Sequence, residues 1–395
     1  MRVFLVGAGA VGTVAALKFA DKAIFESITI ADIDPERAAG LCARLERDDA
    51  RALAVDADDL EQLSRALQAS RAELVLHAGL PRSNLVIMRA CLANRCHYMD
   101  LASGSSDSGA EIPSLEQQFA LDAEFERIER IALLGIGADP GTSNIYAAYA
   151  AKHLLDEVSS FHVRDGDSSL RAGQEFLPTF SPWVFIDECL CRATVYRQRR
   201  WHLEEPLSGA EPFNFPELGL LTCYFVDHEE SSTLPRFFPQ IHMAEFKYSL
   251  DDVTVETLRV LKRLGLHRKE PIEVRGAKVV PRALVCALLP DPGKLGGQIR
   301  GRICVGTVAR GKKNGLPRSV YIYNVSDHEK AYAELGVQAT SYQTGIPPVL
   351  AAELIAEGVW SGAGVLSPEQ LDPDPFLERL PAEGMPWYVR EEPPA

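Results

Sequence analysis

No apolar run in these 395 residues comes near the roughly twenty that a bilayer-spanning helix needs, so no membrane span is expected. Positive charge is also short. Lys and Arg number 41 against 55 Asp and Glu, a formal net charge of −14. Nucleic acids and anionic membranes are bound through basic patches, so neither is expected as a partner. The eight cysteines include no CxxC pair and no metal-ligand spacing, which argues against a zinc framework or a disulfide scaffold. They read as reduced, mostly buried thiols of a cytoplasmic protein, with no metal expected. Cys189 and Cys191 would share one face of a strand. There is no internal repeat and no low-complexity tract. An apolar strand starting at Arg2 leads us to expect no leader peptide.

What is present is concentrated at the start. Val3-Phe4-Leu5-Val6 runs into Gly7, Gly9 and Gly12, a strand, a glycine turn and a helix start. Gly7 permits the tight turn, Gly9 lets the backbone approach a pyrophosphate, and Gly12 lets helix and strand pack closely. Ala10 and Val11 would open the helix under the anion. A second strand, Ile28 to Ala31, ends at Asp32, twenty residues after Gly12. A carboxylate there accepts bonds from ribose hydroxyls and repels a 2′-phosphate. Asp34-Pro35-Glu36 supplies the cap, the N1 proline and the first-turn acid of the next helix, leaving Asp32 for ribose. NAD is therefore expected, with NADP possible because Arg37 is close by.

Strand and helix alternate from Arg2 to about Gly141. The predicted strands are Leu53–Asp56, Glu73–His77, His97–Met99 ending at Asp100, and Ile131–Leu134. Helices are expected around 60–67, after a Ser83 cap, and from about Ser114 to Ile131. Ser103 to Pro113 is a Ser/Gly/Asp-rich loop on the ligand side, a surface linker or a lid. The alternation predicts a doubly wound parallel sheet of Rossmann type, with its ligand at the strands' carboxyl ends. From Thr142 the pattern changes to strands near 158–163, 220–226, 241–248, 302–309 and 319–325, with helices at 253–264 and 281–289. That suggests an inserted α+β domain with a mixed or antiparallel sheet. Gly345-Ile346-Pro347-Pro348 should open a helix, closed by Gly358, that returns to the first domain. An extended, packed tail follows. The expected division is 1–141 with 336–395 for the dinucleotide, and 142–335 for substrate.

GAGAVG at Gly7 to Gly12, CLANRCHYMDLA from Cys91, GADPGTSNIYAAYA from Gly137, PIEVRGAKVVPRALVCALLPDP from Pro271 and YIYNVSDHEKAYAELGVQATSYQTGIPPVLAAELI from Tyr321 resemble the saccharopine dehydrogenase family. That family includes saccharopine reductases, lysine 6-dehydrogenases and carboxynorspermidine dehydrogenases. The later motifs and the ending DPDPFLERLPAEGMPWYV resemble the carboxynorspermidine branch. The middle, FSPWVFIDECLCRATVYRQRRWHLEEP and EFKYSLDDVTVETLRVL, is closer to the lysine and saccharopine branches, as is Asp32. The resemblance implies hydride exchange between a nicotinamide and a carbon bonded to nitrogen, on an amino-acid-derived amine. Reductive condensation through an imine to a saccharopine- or carboxyspermidine-like product is the leading reading. NAD-dependent oxidation of lysine is the alternative within the class, and a non-catalytic dinucleotide-sensing regulator the alternative outside it. Family analogy also implies a homodimer through the second domain's sheet.

The same resemblance assigns candidate site residues. Lys247, with Arg200 behind it, would hold a substrate carboxylate; otherwise Lys247 is an edge-strand lysine facing water. Asp227-His228-Glu229-Glu230 resembles a His-Glu-Glu stretch of the carboxynorspermidine enzymes. His228 and Glu229 would recognise ammonium or move a proton, His228 having an ordinary pKa suited to neutral pH; otherwise the run is a charged surface turn. Asp187 and Glu188 fall in a region that lines substrate in relatives, or on a solvated helix face. For the cofactor, Ala78, Gly79 and Leu80 follow the fourth strand, where the nicotinamide ribose usually passes. Asp56 ends the third near the adenine edge, and Asp139 and Pro140 follow the sixth, as contacts or as a crossing turn. His77 and His97 read as buried strand residues. Tyr342 and Thr344 reach the cleft or simply pack.

Overall fold

The computed structural model describes residues 1–104 and 114–393. Strands β1 (Arg2–Val6), β2 (Ser27–Asp32), β3 (Ala50–Ala54), β4 (Leu74–His77), β5 (His97–Asp100) and β6 (Ile131–Leu133) lie side by side. All run parallel, in the order β6-β5-β4-β1-β2-β3. This is the expected doubly wound sheet, and its strands are apolar on both faces because helices cover both. Phe4, Leu5, Leu74, Val75 and Leu76 have no exposed surface. The helix Pro35–Arg44 starts as anticipated, with the Asp34 carboxylate accepting from the N–H groups of Glu36 and Arg37.

Several boundaries differ from expectation. β3 ends at Ala54, so Val55 and Asp56 lie beyond it. Ser83 makes no helix cap; it closes a short 3₁₀ turn, and its hydroxyl donates to Asp58 instead. The expected long helix is two short ones, Ser114–Phe119 and Asp122–Arg127. The Asp122 carboxylate accepts the Val365 N–H, which ties a late strand to this break. Most of the Ser103–Pro113 loop lies outside the described residues.

The second sheet holds β7 (Glu157–Asp167), β8 (Ala193–Arg197), β9 (Arg200–Glu204), β10 (Glu211–Phe215), β11 (Gly219–Phe225) and β12 (Met243–Ser249). After a separate ribbon, β13 (Ile272–Val274) and β14 (Ala277–Val279), come β15 (Arg302–Lys313) and β16 (Leu316–Asp327). Two strands close the chain, β17 (Gly364–Leu366) and β18 (Trp387–Glu392). The main path is β10-β11-β12-β7-β15-β16-β18, with β8 also on β12 and β9 on β8. Only β7 and β12 pair in parallel here, so the sheet is mixed. β8 to β10 were not anticipated. Cys189 lies in the last turn of a helix, Pro182–Leu190, and Cys191 caps it, so the two do not share a strand face.

The returning helix runs from Ala339 to Ala356, six residues earlier than its prolines suggest, with the Gln338 side chain accepting from Thr340 N–H. Gly345 sits inside it against Val14 of the helix Ala10–Ala20. A Cβ there would come within 2.6 Å of the Val14 Cβ. Gly345 therefore permits a close helix crossing rather than marking a start. The tail also departs from an extended form, since it contains the helix Pro373–Arg379. β17 then extends the first sheet beside β6, whereas β18 adds to the second sheet beside β16.

Candidate functional site

A cavity of about 450 Å³ opens where the carboxyl ends of the first sheet meet the second, the size of a site for small molecules. At one end is the glycine turn. A Cβ on Gly7 would meet the Ala78 carbonyl at 2.8 Å, and one on Gly12 the Gly7 carbonyl at 1.9 Å. Nothing lies within 4 Å in front of Gly9. These are the three roles a pyrophosphate cradle requires, so the residues present fit a dinucleotide. Asp32 fixes the turn: Oδ2 accepts from Ala8 N–H at 2.7 Å and Oδ1 from Asp34 N–H at 2.9 Å. Gly7, Gly9, Ala10, Val11, Asp32, Ala78, Gly79 and Leu80 all line the cavity. Asp56 does not; it is exposed beyond the end of β3, where its carboxylate caps Asp58.

His77 also lines this end. Burial pushes its pKa down to about 4, so the ring is neutral. Asn84 donates through Nδ2 to the Ala102 carbonyl (2.8 Å) and to Asp100 (3.2 Å). Its Oδ1 therefore faces His77 Nδ1 at 2.9 Å. On this network Nδ1 carries the hydrogen and Nε2 is an acceptor. His97, by contrast, is a half-buried β-strand residue whose Nδ1 accepts the Ile131 N–H.

The other end is acidic. Asp139, Asp165, Glu188 and His228 line it, beside Phe246 and Tyr248 of β12. Asp139 and Asp165 act on each other's titration, and with both values raised the pair keeps a proton near neutral pH. Burial raises Asp139 to about 7, with His228 pulling down and Glu230 pushing up. Asp165 is raised well above the carboxylate range by burial and then by the charges of Asp139 and Asp167. Among the described residues, Asp139 Oδ2 and Asp165 Oδ1 meet no donor. Glu188 is also raised, chiefly by burial. His228 stacks on Phe246 at 3.8 Å, and its Nδ1 lies 2.5 Å from Glu230. Burial alone would lower it, but Glu230, Glu229 and Glu188 outweigh burial and push it well above its ordinary value. It is therefore a cation at neutral pH, not the half-titrated base that its ordinary value suggested.

The structure separates other sequence candidates from the cavity. Pleating sends Phe246 and Tyr248 to the cavity face of β12 and Lys247 to the opposite face. There Lys247 is buried and pairs with Glu211 at 2.5 Å. It holds no carboxylate in the cavity, nor is it an edge lysine in water, since β12 is flanked by β11 and β7. Arg200 lies on β9 and is exposed. Asp187 turns away to Arg282 and Lys269 (2.9 and 2.8 Å) while its neighbour Glu188 faces inward. Glu229 clasps Ser103, accepting its N–H and hydroxyl at 2.5 and 3.0 Å. Pro140 forms the crossing turn, its carbonyl accepting Gly137 N–H. Tyr342 donates to Glu334 and to the Glu383 carbonyl, whereas Thr344 lines the cavity.

Asp165 was missed because β7 was expected to stop at Val163. The alternation Val163-Arg164-Asp165-Gly166-Asp167 carries it four residues further. Ser181, Thr340, Ser341 and the Asp291-Pro292 loop also line the cavity without a local motif to announce them. No helix among the described residues is long and apolar enough to cross a membrane.

Comparison with known proteins agrees with this geometry. The family model for the saccharopine dehydrogenase NADP-binding domain matches residues 3–132, and that for the saccharopine dehydrogenase C-terminal domain matches residues 137–385. The carboxyaminopropylagmatine dehydrogenase of Synechocystis sp. is 33% identical over 387 residues, covering 98% of this chain and 97% of that protein. The carboxynorspermidine synthase of Vibrio alginolyticus is 34% identical over 408 residues, covering 99% and 97%. Saccharopine dehydrogenase (L-Glu forming) of Saccharomyces cerevisiae shares the fold, with a TM-score of 0.73 at 15% identity over 99% of this chain and all of that one. With the glycine cradle, the acidic floor and both halves of the chain matched, this protein belongs to the saccharopine dehydrogenase family of NAD(P)-dependent oxidoreductases.

Proposed function

We propose that the enzyme reductively condenses an amino-acid aldehyde with a diamine or guanidino-amine, giving a carboxyaminopropyl-type secondary amine. One observation carries this reading. The cavity joins a dinucleotide cradle to a floor of three acids, Asp139, Asp165 and Glu188, and among the described residues the only Arg or Lys in its wall, Arg37, stands at the nucleotide end. Carboxyls that burial keeps protonated can ionise towards an ammonium or guanidinium group and pair with it. Two similar proteins are named for carboxyaminopropylagmatine and carboxynorspermidine, both amines bearing such an arm. With no Arg or Lys at this end among the described residues, and His228 engaged with Glu230, the carboxylate of the aldehyde partner falls to the hydroxyls of Ser181, Thr340, Ser341 and Thr344.

Gly7, Gly9 and Asp32 would hold the dinucleotide, which supplies the hydride that reduces the imine carbon. The remaining steps belong to the chain. The Asp139–Asp165 pair, already holding one proton, takes a second from the substrate ammonium and frees the amine to attack the aldehyde carbon. It then returns that proton to the departing hydroxyl, which leaves as water with formation of a protonated imine. The charged His228 offsets the acids and holds their geometry. In this reading residues 1–141 carry the dinucleotide and 142–335 the amine. The segment 336–395 serves both, since β17 and β18 lie in different sheets. A homodimer in the cytoplasm is part of the same reading; exposed Trp201, Leu203 and Leu220 on β9 and β11 support a contact through the second sheet.

The test follows reduced-cofactor absorbance with aspartate semialdehyde plus agmatine or 1,3-diaminopropane. Consumption that requires both partners supports the proposal. Reduction of oxidised cofactor by lysine alone would replace it with the lysine dehydrogenase reading. Cofactor binding without turnover of any amine would leave the regulator.

A further inference from the structure

We infer that Arg37 and Asp291 form a cofactor-selecting clasp across the mouth of the nucleotide site. In it Asp291 occupies Arg37 when the adenosine ribose is bare, and a 2′-phosphate takes Arg37 over. The inference rests on the dinucleotide reading of the glycine end. Asp32, Arg37, Asp291 and Pro292 share one stretch of cavity wall. Arg37 stands in the first turn of the helix that follows Asp32, with its Nη2 3.3 Å from Asp291 Oδ2 and its Nε 3.6 Å from Asp34. Asp291 comes from the other part of the chain, on a loop seated over the glycine turn. A side chain at Gly293 would come within 3.8 Å of Ala10.

The charges decide what the clasp does. A ribose hydroxyl is neutral and leaves the pair closed, with Asp32 free to accept from it. A 2′-phosphate brings two negative charges to a place where, among the described residues lining the cavity, Arg37 is the one Arg or Lys and Asp32 and Asp291 both repel it. Binding must detach Arg37 from Asp291. The pair is half-exposed, and exposed ion pairs are weak enough for this exchange. Asp291 thus sets the preference against NADP jointly with Asp32, and it does so from outside the nucleotide-binding motif.

Asp291→Asn isolates the effect. Oδ1 of Asp291 accepts Gly293 N–H at 3.0 Å and caps the loop's own turn. Asn keeps that oxygen and removes only the charge. Dissociation constants for NADH and NADPH are measured on the full chain by calorimetry or cofactor fluorescence, for wild type, Asp291→Asn and Arg37→Gln. Loss of one unit charge at contact distance in water predicts NADPH binding about five-fold tighter in Asp291→Asn, with NADH changed by less than about two-fold. Arg37→Gln should weaken NADPH selectively. An unchanged NADPH-to-NADH ratio in Asp291→Asn, or a parallel shift of both, would overturn the clasp. Failure of the wild type to bind either dinucleotide would instead overturn the cofactor reading beneath it.

Discussion

Arg164 and Asp165 are neighbours on β7, the first buried and the second half-buried at the cavity, and they face opposite sides of the same sheet. On Arg164's side acids and bases are paired off, although the Nε atoms of Arg164 and Arg310 meet no acceptor among the described residues. Arg164 pairs with Glu245 and Glu211, His162 bonds Glu245 at 3.0 Å, and Lys247 holds Glu211. On Asp165's side, Asp139, Asp165 and Glu188 crowd together with His228 as the nearby cation, and carboxyl oxygens lack donors. Partial or full burial is common to both faces, so burial alone does not mark a site. What differs is the balance of charge. A matched network fixes a fold, whereas an excess of one sign facing a cavity is held for a ligand.

The sharpest way to break this comparison is on the matched face. Glu245→Ala leaves Arg164 buried with its main counter-ion gone, and removing one partner of a buried pair costs about 3–5 kcal/mol. Urea unfolding should show that loss, while the dinucleotide dissociation constant stays as in wild type. If Glu245→Ala were as stable as wild type but inactive, the two faces would have been assigned the wrong way round.

The cavity face should behave in the opposite manner. Asp165→Asn removes one of two repelling acids, so stability should be kept or rise. The proton exchange of the pair is lost, and kcat/KM with the aldehyde and amine should fall on the order of 10²-fold or more. A variant that unfolds like Glu245→Ala but retains its activity per folded molecule would make Asp165 a structural residue.

These two faces were unequally legible in the sequence, as were the two ends of the cavity. The glycine end is local: Gly7, Gly9, Gly12 and Asp32 sit on one strand–turn–helix–strand unit, and their roles follow from spacing. Asp165, Glu188 and His228 lie on three separate elements, and no spacing in the chain brings them together. Only the folded sheet does. Lys247 shows the remaining gap. Its type suits a carboxylate, but one step of pleat decides between cavity and opposite face, and the register of β12 against β7 sets that step. The returning helix was misplaced for a related reason. Proline is favoured at a helix start, but Gly345, Pro347 and Pro348 serve a close interior crossing against the helix Ala10–Ala20, which only tertiary packing specifies.

The gentlest test sets the two faces against pH. Asp139 has a folded value of about 7 and an ordinary value of 3.8, so between these the folded chain holds a proton the unfolded chain releases. Stability from this group is full below the ordinary value and is lost as pH rises towards 7, by at most about 1.4 kcal/mol per pH unit for one proton. Glu245 is shifted the other way: burial opposes its charge, but the His162 hydrogen bond and the Arg164 charge outweigh it. Its contribution is present above the ordinary glutamate value and lost only on stronger acidification. In Asp165→Asn the new amide donates to Asp139, stabilising its carboxylate and lowering its pKa, so the extra proton is no longer retained. The decline in unfolding free energy between about pH 4 and pH 7 should flatten in that variant. Any loss at lower pH, which belongs to the matched face, should remain. An unaltered slope between those limits would mean that the cavity acids do not hold the proton that distinguishes their face from the other.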